Sequence, residues 1–275
     1  MSTSINTNYA AMLAAQNLNS STAELTQVQT RISTGLKVSS AKDNGAIYGI
    51  ALRQQATSQS LNAVRESLQR VQSVTDVSLA AGETITDLLV QMKAKALAAS
   101  DSSISATDRT ALSTDFVALR TQIQTAATVS GFNGTSLISA TANNIRALAD
   151  DSGTQFISVQ AQRLNLGGGN VTVTATTSIN TLTRASAALL LVNASIDNVA
   201  LALSRLGTGA KALENHTTFI NKLQDAVDAG VGNIIDADMA KEASRLQSIQ
   251  AKQQLGFQAL AIANQGPSNL LGLFR

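Results

Sequence analysis

Apolar residues recur along this chain in alternating steps of three and four. The longest run starts at Leu189 and passes through Val192, Ile196, Val199, Leu203, Leu206, Ala210, Leu213, Thr217, Ile220, Gln224, Val227, Val231 and Ile234, with only Thr217 and Gln224 polar. A heptad seam kept up over this distance predicts one long, coiled-coil-like helix. A second seam runs through Leu61, Val64, Leu68, Val71, Thr75, Ser78, Gly82, Ile85, Leu89, Met92 and Ala96, and traced backwards it meets Thr57, Gln54, Ile50 and Ile47. Its middle is weak, and Gly82 costs roughly 1 kcal/mol of helix propensity. A shorter seam comes next at Leu112, Phe116, Leu119, Ile123 and Ala126. Three helices of one bundle are predicted.

The two chain ends echo each other. Ala11, Ala14, Leu18, Ser21, Leu25, Val28 and Ile32 form a stripe near the start. Ile235, Met239, Glu242, Leu246, Ile249, Gln253, Gly256, Leu260 and Ala263 form another near the end, one residue out of phase with the seam that stops at Ile234. The slip falls in residues 230–238 (GVGNIIDAD), beside Gly230 and Gly232. A phase slip beside glycines marks a helix break or a change of packing partner. On the N-terminal side, residues 31–51 (RISTGLKVSSAKDNGAIYGIA) occupy the equivalent place, with Gly35, Ser39-Ser40 and Asp43-Asn44-Gly45. Both connections therefore break at one level, as expected of a joint between two packed layers of an elongated molecule. Two terminal stripes of this kind must pair with each other or with other copies, because an isolated helix of that length is marginal in water.

The centre, residues 131–180, holds most of the glycine and β-branched residues. Residues 155–161 (QFISVQA) and 171–177 (VTVTATT) read as strands joined at Gly167-Gly168-Gly169. The expected fold is mostly α: an elongated up-and-down bundle of long coiled-coil-like helices, a small β element and a terminal two-helix coiled coil. The expected domains are an inner one, 1–40 plus 235–275, and a helical core, 41–234, with its β region at 131–180.

Composition sharpens this picture. There is one proline, Pro267, in 275 residues, which permits very long helices. Aromatic residues are 3% with no Trp, which points to slim helices packed through Leu, Ile, Val and Ala. Charged residues are only 14%, against roughly 25% in ordinary domains, which suits faces that meet protein more than water. The net charge of +2 carries no dense basic stripe and gives no reason to propose nucleic acid. The chain has no cysteine, which excludes disulfide and thiolate chemistry. The N-terminus lacks the pattern of a secretory signal, and the most apolar short run, 187–192, is too short to span a bilayer. A soluble protein is expected, either retained or exported without a cleaved signal.

Candidate chemistry is sparse. The stretch GLKVSSAK lacks the second Gly-Lys-Ser/Thr step of a phosphate loop and has no strand before it. Gly207-Thr208-Gly209 lies inside the long seam, which favours close packing over a dinucleotide turn. His216 is the single histidine, with no second soft ligand to share a metal. Asp236 and Asp238 stand at an expected helix start, where acids favour the helix dipole. No catalytic, cofactor or metal site is expected.

Four blocks in order resemble the bacterial flagellin family: INTNYAAMLAAQNLN at 5–19, RISTGLKVSSAKDNGAIYGIA at 31–51, GFNGTSLI at 131–138, and the C-terminal block from 234 to the closing Leu-Phe-Arg at 275. The chain lacks the large insertion that many flagellins carry between the helices and so is similar to the short flagellins of alphaproteobacteria. The resemblance implies a structural subunit of the flagellar filament that self-assembles into a helical tube for motility. The hook–filament junction protein shares the terminal pattern, and a helical secreted effector is a further alternative. The resemblance also implies an inner coiled coil of the two ends, packed through Leu18, Leu25, Val28, Ile32, Leu246, Ile249 and Leu260. It implies an interlayer joint at Gly35, Lys42, Asp43, Gly45, Gly230 and Gly232. Implied partners are other flagellin copies, hook-associated junction and cap proteins, and an export chaperone on the C-terminal segment, with neither nucleic acid nor membrane. The implied location is the extracellular filament, reached by type III export without a cleaved signal peptide. Finally, Lys93-Ala94-Lys95 stands where many relatives carry an Arg-Glu-Leu core read by the flagellin-sensing Toll-like receptor, which implies weak recognition here.

Overall fold

The computed structural model describes residues 7–272. Met1 to Asn6 and the closing Leu-Phe-Arg lie outside the described residues, and with them the first two positions of the N-terminal block and the last three of the C-terminal one. The described chain runs α1 (Tyr9–Thr34), α2 (Ala41–Ala99), α3 (Ala106–Val129), β1 (Ile145–Leu148), β2 (Phe156–Val159), α4 (Leu182–Ile235) and α5 (Met239–Gly272). Two compact units divide it: Met1–Ala56 with Ala226–Arg275, and Thr57–Asp225. Both boundaries fall inside helices, so α2 and α4 each contribute residues to both units.

The seams account for the core of the second unit. Every α2 position from Leu61 to Ala96 in the predicted stripe is buried, and so are Val192, Val199, Leu206, Leu213 and Ile220 of α4 and Phe116 and Ile123 of α3. Each large apolar side chain among them stabilises the fold by roughly 1.5–3 kcal/mol when fully buried. The backward trace of the α2 seam does not hold. Gln54 and Ile50 are exposed and Ala51 is buried instead, because 3.6 residues per turn drift away from a strict seven-residue repeat.

The weak middle of the α2 seam has a purpose. Thr75 and Ser78 donate their hydroxyls to Val71 O and Val74 O, at 2.8 Å each, so neither buried hydroxyl is orphaned. Ser78 Oγ also accepts the amide of Leu137 at 3.4 Å, Ser67 Oγ accepts that of Leu148 at 3.1 Å, and Ser195 Oγ of α4 accepts that of Thr172 at 2.9 Å. Three helix serines thus receive backbone donors from the irregular segment, which would otherwise be buried without partners.

The β element differs from the expected one. β2 pairs antiparallel with β1, from Ile145↔Val159 to Leu148↔Phe156, and residues 171–177 are not a strand. Val171 and Val173 are buried as the alternation predicted, but the amides of Thr172 and Val173 go to Ser195 Oγ and not to a neighbouring strand. The short strand β1 carries too few residues to register as a pattern. Its turn is set by Asp150, whose carboxylate accepts the amides of Thr154 and Gln155, both at 3.0 Å, and the Ser152 hydroxyl. These bonds, the Ser152 hydroxyl first, lower its pKa to about 2. The block 131–138 opens with a two-residue hairpin. Phe132 and Thr135 exchange both backbone bonds, with Asn133 at φ 49 and Gly134 at φ 76, the positive angles that this turn requires.

An 18-residue window of α4 has a mean hydropathy of 1.6, long and apolar enough by composition to cross a membrane, where the sequence pattern had drawn attention only to 187–192. In the second unit the α4 stripe packs into the helical core.

Gly82 and Gly209 are where elements close in. A Cβ on Gly82 would stand 2.4 Å from Leu203 Cδ2 of α4, and one on Gly209 would stand 3.0 Å from Val159 Cγ1 of β2. Gly82→Leu should therefore destabilise the chain by about 1–3 kcal/mol through overpacking, although helix propensity alone favours leucine by about 1 kcal/mol. Chemical denaturation monitored by circular dichroism gives the sign; a gain in stability would mean that the helices do not approach this closely.

Candidate functional site

In the first unit, α1 and α5 pack against each other along their stripes. Asn8 caps α1 by accepting the Ala11 amide at 3.0 Å, and Asp238 does the same for α5 by accepting that of Lys241 at 3.1 Å. Between the helices, Asn8 Nδ2 donates to Ala263 O at 2.7 Å, Gln253 Nε2 to Thr22 Oγ1 at 3.1 Å, and Arg31 Nη1 to Glu242 Oε1 at 3.1 Å. Residue numbers rise on one side as they fall on the other, so the pair is antiparallel. Val28 and Ile249 are buried, and Leu18, Leu25, Ile32, Leu246 and Leu260 are half-buried. Leu18 lies against Gly256, where an added Cβ would be 3.3 Å from its Cδ1. Met239, on the same stripe, is exposed in the first turn of α5.

The pair also leaves large apolar side chains exposed away from its seam. Tyr9 is 79% exposed, Ile262 69% and Phe257 60%, and Met12 and Leu255 are exposed too.

The two connections meet at one level. Gly35 ends α1 in the left-handed conformation (φ 72), its amide donating to Arg31 O at 2.8 Å; glycine takes this conformation without the cost a side chain brings. The chain then runs beside the break between α4 and α5 as an antiparallel bridge, Leu36↔Asp236. Lys37 N donates to Ile235 O at 2.6 Å, and Ala237 N to Gly35 O at 2.8 Å. Below the bridge, Val38, Ala51, Val231 and Ile235 form a small buried cluster with Leu36, Ile47 and Tyr48 against it.

The remaining predicted joint residues divide. Asp43 Oδ2 accepts the amides and hydroxyls of Ser39 and Ser40 at 3.0–3.1 Å. The Ser39 hydroxyl, first among these donors, holds the carboxyl below its ordinary 3.8. Asn44 leaves the helical conformation (φ −162, ψ 101), and its side chain caps the next helical turn by accepting the Ile47 amide at 3.1 Å. Lys42 and Gly45 are exposed. Gly230 and Gly232 are not at the break: α4 continues through both to Ile235. A Cβ on Gly232 would stand 2.7 Å from Asp236 Oδ2, so this glycine leaves room for the first side chain past the helix.

Two features were missed. The Leu36↔Asp236 bridge has no local signal except the coincidence of the two phase breaks. The Arg31–Glu242 pair was hidden because its partners lie 211 positions apart and neither stripe names the other's contacts. His216 Nε2 bonds Ala149 O at 2.8 Å and its ring lies 5.6 Å from that of Phe219, and among the described residues no acidic or histidine group is arranged to hold a metal ion.

Residues 5–143 match the family model of the bacterial flagellin N-terminal helical region, and residues 189–274 that of the bacterial flagellin C-terminal helical region. The chain is 53% identical to flagellin FljM of Caulobacter vibrioides over 99% of its own length and 98% of the relative's. It is 30% identical to a flagellin of Brucella melitensis over 99% of both chains. A solved structure described as a putative flagellar hook-associated protein from Vibrio parahaemolyticus has a similar fold, with a TM-score of 0.56 at 14% identity, covering 70% of this chain and 100% of that one.

Asp43 yields a pH prediction. Its folded pKa lies below the unfolded 3.8, so its hold on the 39–40 turn is complete above 3.8 and is lost as pH falls through the lower folded value. The Ser39 and Ser40 amide resonances should titrate with a midpoint below 3.8, and Asp43→Ala should abolish that titration. A midpoint at or above 3.8 would contradict the geometry of the turn.

Proposed function

The chain belongs to the bacterial flagellin family, and from that premise we propose how its two ends build a filament. It is a structural subunit of the bacterial flagellar filament, a short one, similar over its full length to alphaproteobacterial flagellins. It polymerises with other flagellin copies and meets hook-associated proteins.

The inner layer of the filament is the α1–α5 pair, residues 1–40 with 235–275. Leu18, Leu25, Val28, Ile32, Leu246, Ile249 and Leu260 hold each pair together. Tyr9, Met12, Leu255, Phe257 and Ile262 meet neighbouring copies. The observation that carries this reading is the exposure of these five large apolar side chains: a helix pair that leaves them uncovered after its own seam is closed has surface left for other chains. Gly35, Lys42, Asp43 and Gly45 form the joint to the helical core domain, 41–234, with Gly230 and Gly232 inside α4 just before it. The subunit is no enzyme and works through packing alone, away from membranes and nucleic acid. It leaves the cell without a cleaved signal peptide, with an export chaperone covering the apolar face of α5 until assembly, and junction and cap proteins contact its polymer at either end.

Within residues 90–97, Lys95 Nζ pairs with Asp115 Oδ2 at 2.6 Å, while Val90 and Leu97 are exposed. A lysine in place of an apolar contact adds a desolvation penalty, and a wrong charge at an interface centre costs several kcal/mol, on the order of a hundredfold or more in affinity. Purified monomer should give weak or no Toll-like receptor signalling in a reporter cell, with partial gain on Ala94→Glu plus Lys95→Leu. A response equal to that of an enterobacterial flagellin at equal dose would contradict this.

Leu25→Asp places a charge in the inner seam, a more severe change than Leu→Ala, which costs about 2–5 kcal/mol in a packed core. Seeded growth of the variant, examined by electron microscopy, should give no filaments while circular dichroism still reports the helical core. Normal filaments would count against the terminal pair as the inner layer.

A further inference from the structure

The stripes that join α1 to α5 are poor at fixing their own register. A heptad seam nearly repeats itself after seven residues, and this one is built largely of Ala11, Ala14, Leu18, Ser21 and Leu25 on one side. Sliding the helices by one heptad, about 10 Å, still sets apolar or small residues against each other at most positions, with the exposed Gln253–Thr22 bond lost. Glu242 breaks that degeneracy. It is the acid on the α5 stripe, only 7% exposed, and its Oε1 accepts Arg31 Nη1 at 3.1 Å. Its Oε2 is buried and has no partner, so the carboxylate depends on this one guanidinium. With Gly256 opposite Leu18, Glu242 lies level with the last turn of α1. A one-heptad slip leaves it either level with Leu25, buried and away from Arg31, or beyond the end of α1 and out of reach of Arg31. An uncompensated buried charge is strongly destabilising, whereas the pair itself need contribute little net energy; its effect is on which register wins.

The pair also stands beside the joint. Arg31 O takes the Gly35 amide at 2.8 Å, and the Glu242 amide goes to Asp238 O at 2.9 Å, so each residue is bonded to an end of the segment that forms the Leu36↔Asp236 bridge. We propose that Arg31 and Glu242 form a register key: a buried polar pair that selects one antiparallel alignment of the chain ends and thereby brings Gly35 opposite Ala237. The proposal rests on the pair's own geometry and not on the role of the ends in a polymer.

The chain has no cysteine, so engineered thiols report register cleanly. The Cβ of Leu18 is 3.9 Å from the position of a Cβ on Gly256, within the range of about 3.5–4.5 Å that a disulfide needs. Leu18→Cys with Gly256→Cys probes the native register, and Ala11→Cys with Gly256→Cys probes a one-heptad slip. Both are oxidised in the full-length chain, as monomer and as filament, and intrachain closure is read as a faster band on a denaturing gel. In the parent background the native pair should close at least tenfold faster than the slipped pair. Arg31→Glu or Glu242→Arg alone should remove that preference, and Arg31→Glu with Glu242→Arg together should restore most of it. Single variants that keep the native preference would overturn the key. If the singles close neither pair, the double variant decides: recovery supports the key, and no recovery overturns it. Single variants that lose the native disulfide preference and still form normal filaments would speak against the assembly reading and leave the key standing.

Discussion

The antiparallel contact of α1 with α5 brings together residues as far apart as Asn8 and Ala263, 255 positions along the chain. Closing a loop of that length costs on the order of 5 kcal/mol in chain entropy before any local ordering is counted. Leu18, Leu25, Ile32, Leu246 and Leu260 are only half-buried, so each returns part of the roughly 1.5–3 kcal/mol of a fully buried side chain. The pair alone would be marginal. The long helices change the balance: Gln224 Nε2 already reaches Asn62 Oδ1 at 3.2 Å within the second unit, so most of the loop is closed before the ends meet. The Leu36↔Asp236 bridge with the Val38, Ala51, Val231 and Ile235 cluster closes a further part of it within the first unit.

The same economy governs the irregular middle. The segment between α3 and α4 has one four-residue strand pair and many backbone donors to satisfy. It finds acceptors in Ser67, Ser78 and Ser195, small hydroxyls on helices that otherwise pack through larger apolar side chains. Gly82 and Gly209 remove side chains where Leu203 and Val159 come close. The polar and small positions that weaken a seam on paper are thus the docking points of another layer, and they leave the helices continuous.

Much of this was legible in the pattern of apolar residues. The α2 seam from Leu61 to Ala96 is buried position for position, and the predicted seam positions of α3 and α4 are all buried or half-buried, because a helix with no proline and a fixed stripe has few alternatives. The pairing of the ends could be expected from their matching stripes, and the level of the joint from two phase breaks. What could not be read is what depends on partners distant in sequence. Residues 171–173 alternate like a strand, but their donors found Ser195 and not a neighbouring strand. The strand at 145–148 is too short to carry a period. Gly230 and Gly232 looked like the break, yet the helix passes through them and stops at Ile235, where Asp236 can join the bridge. Glu242 stands in its stripe with no sequence signal of its partner, Arg31.

The chain ends, once paired, still expose large apolar side chains, and in the proposed filament other copies cover them. Electron cryomicroscopy of filaments grown from the purified chain tests it most directly. The account predicts α1 and α5 of each copy still antiparallel, Arg31 beside Glu242, and Tyr9, Leu255, Phe257 and Ile262 buried against neighbouring copies. Helices α1 and α5 parted from each other, or those four side chains facing open solvent in the assembled wall, would contradict it.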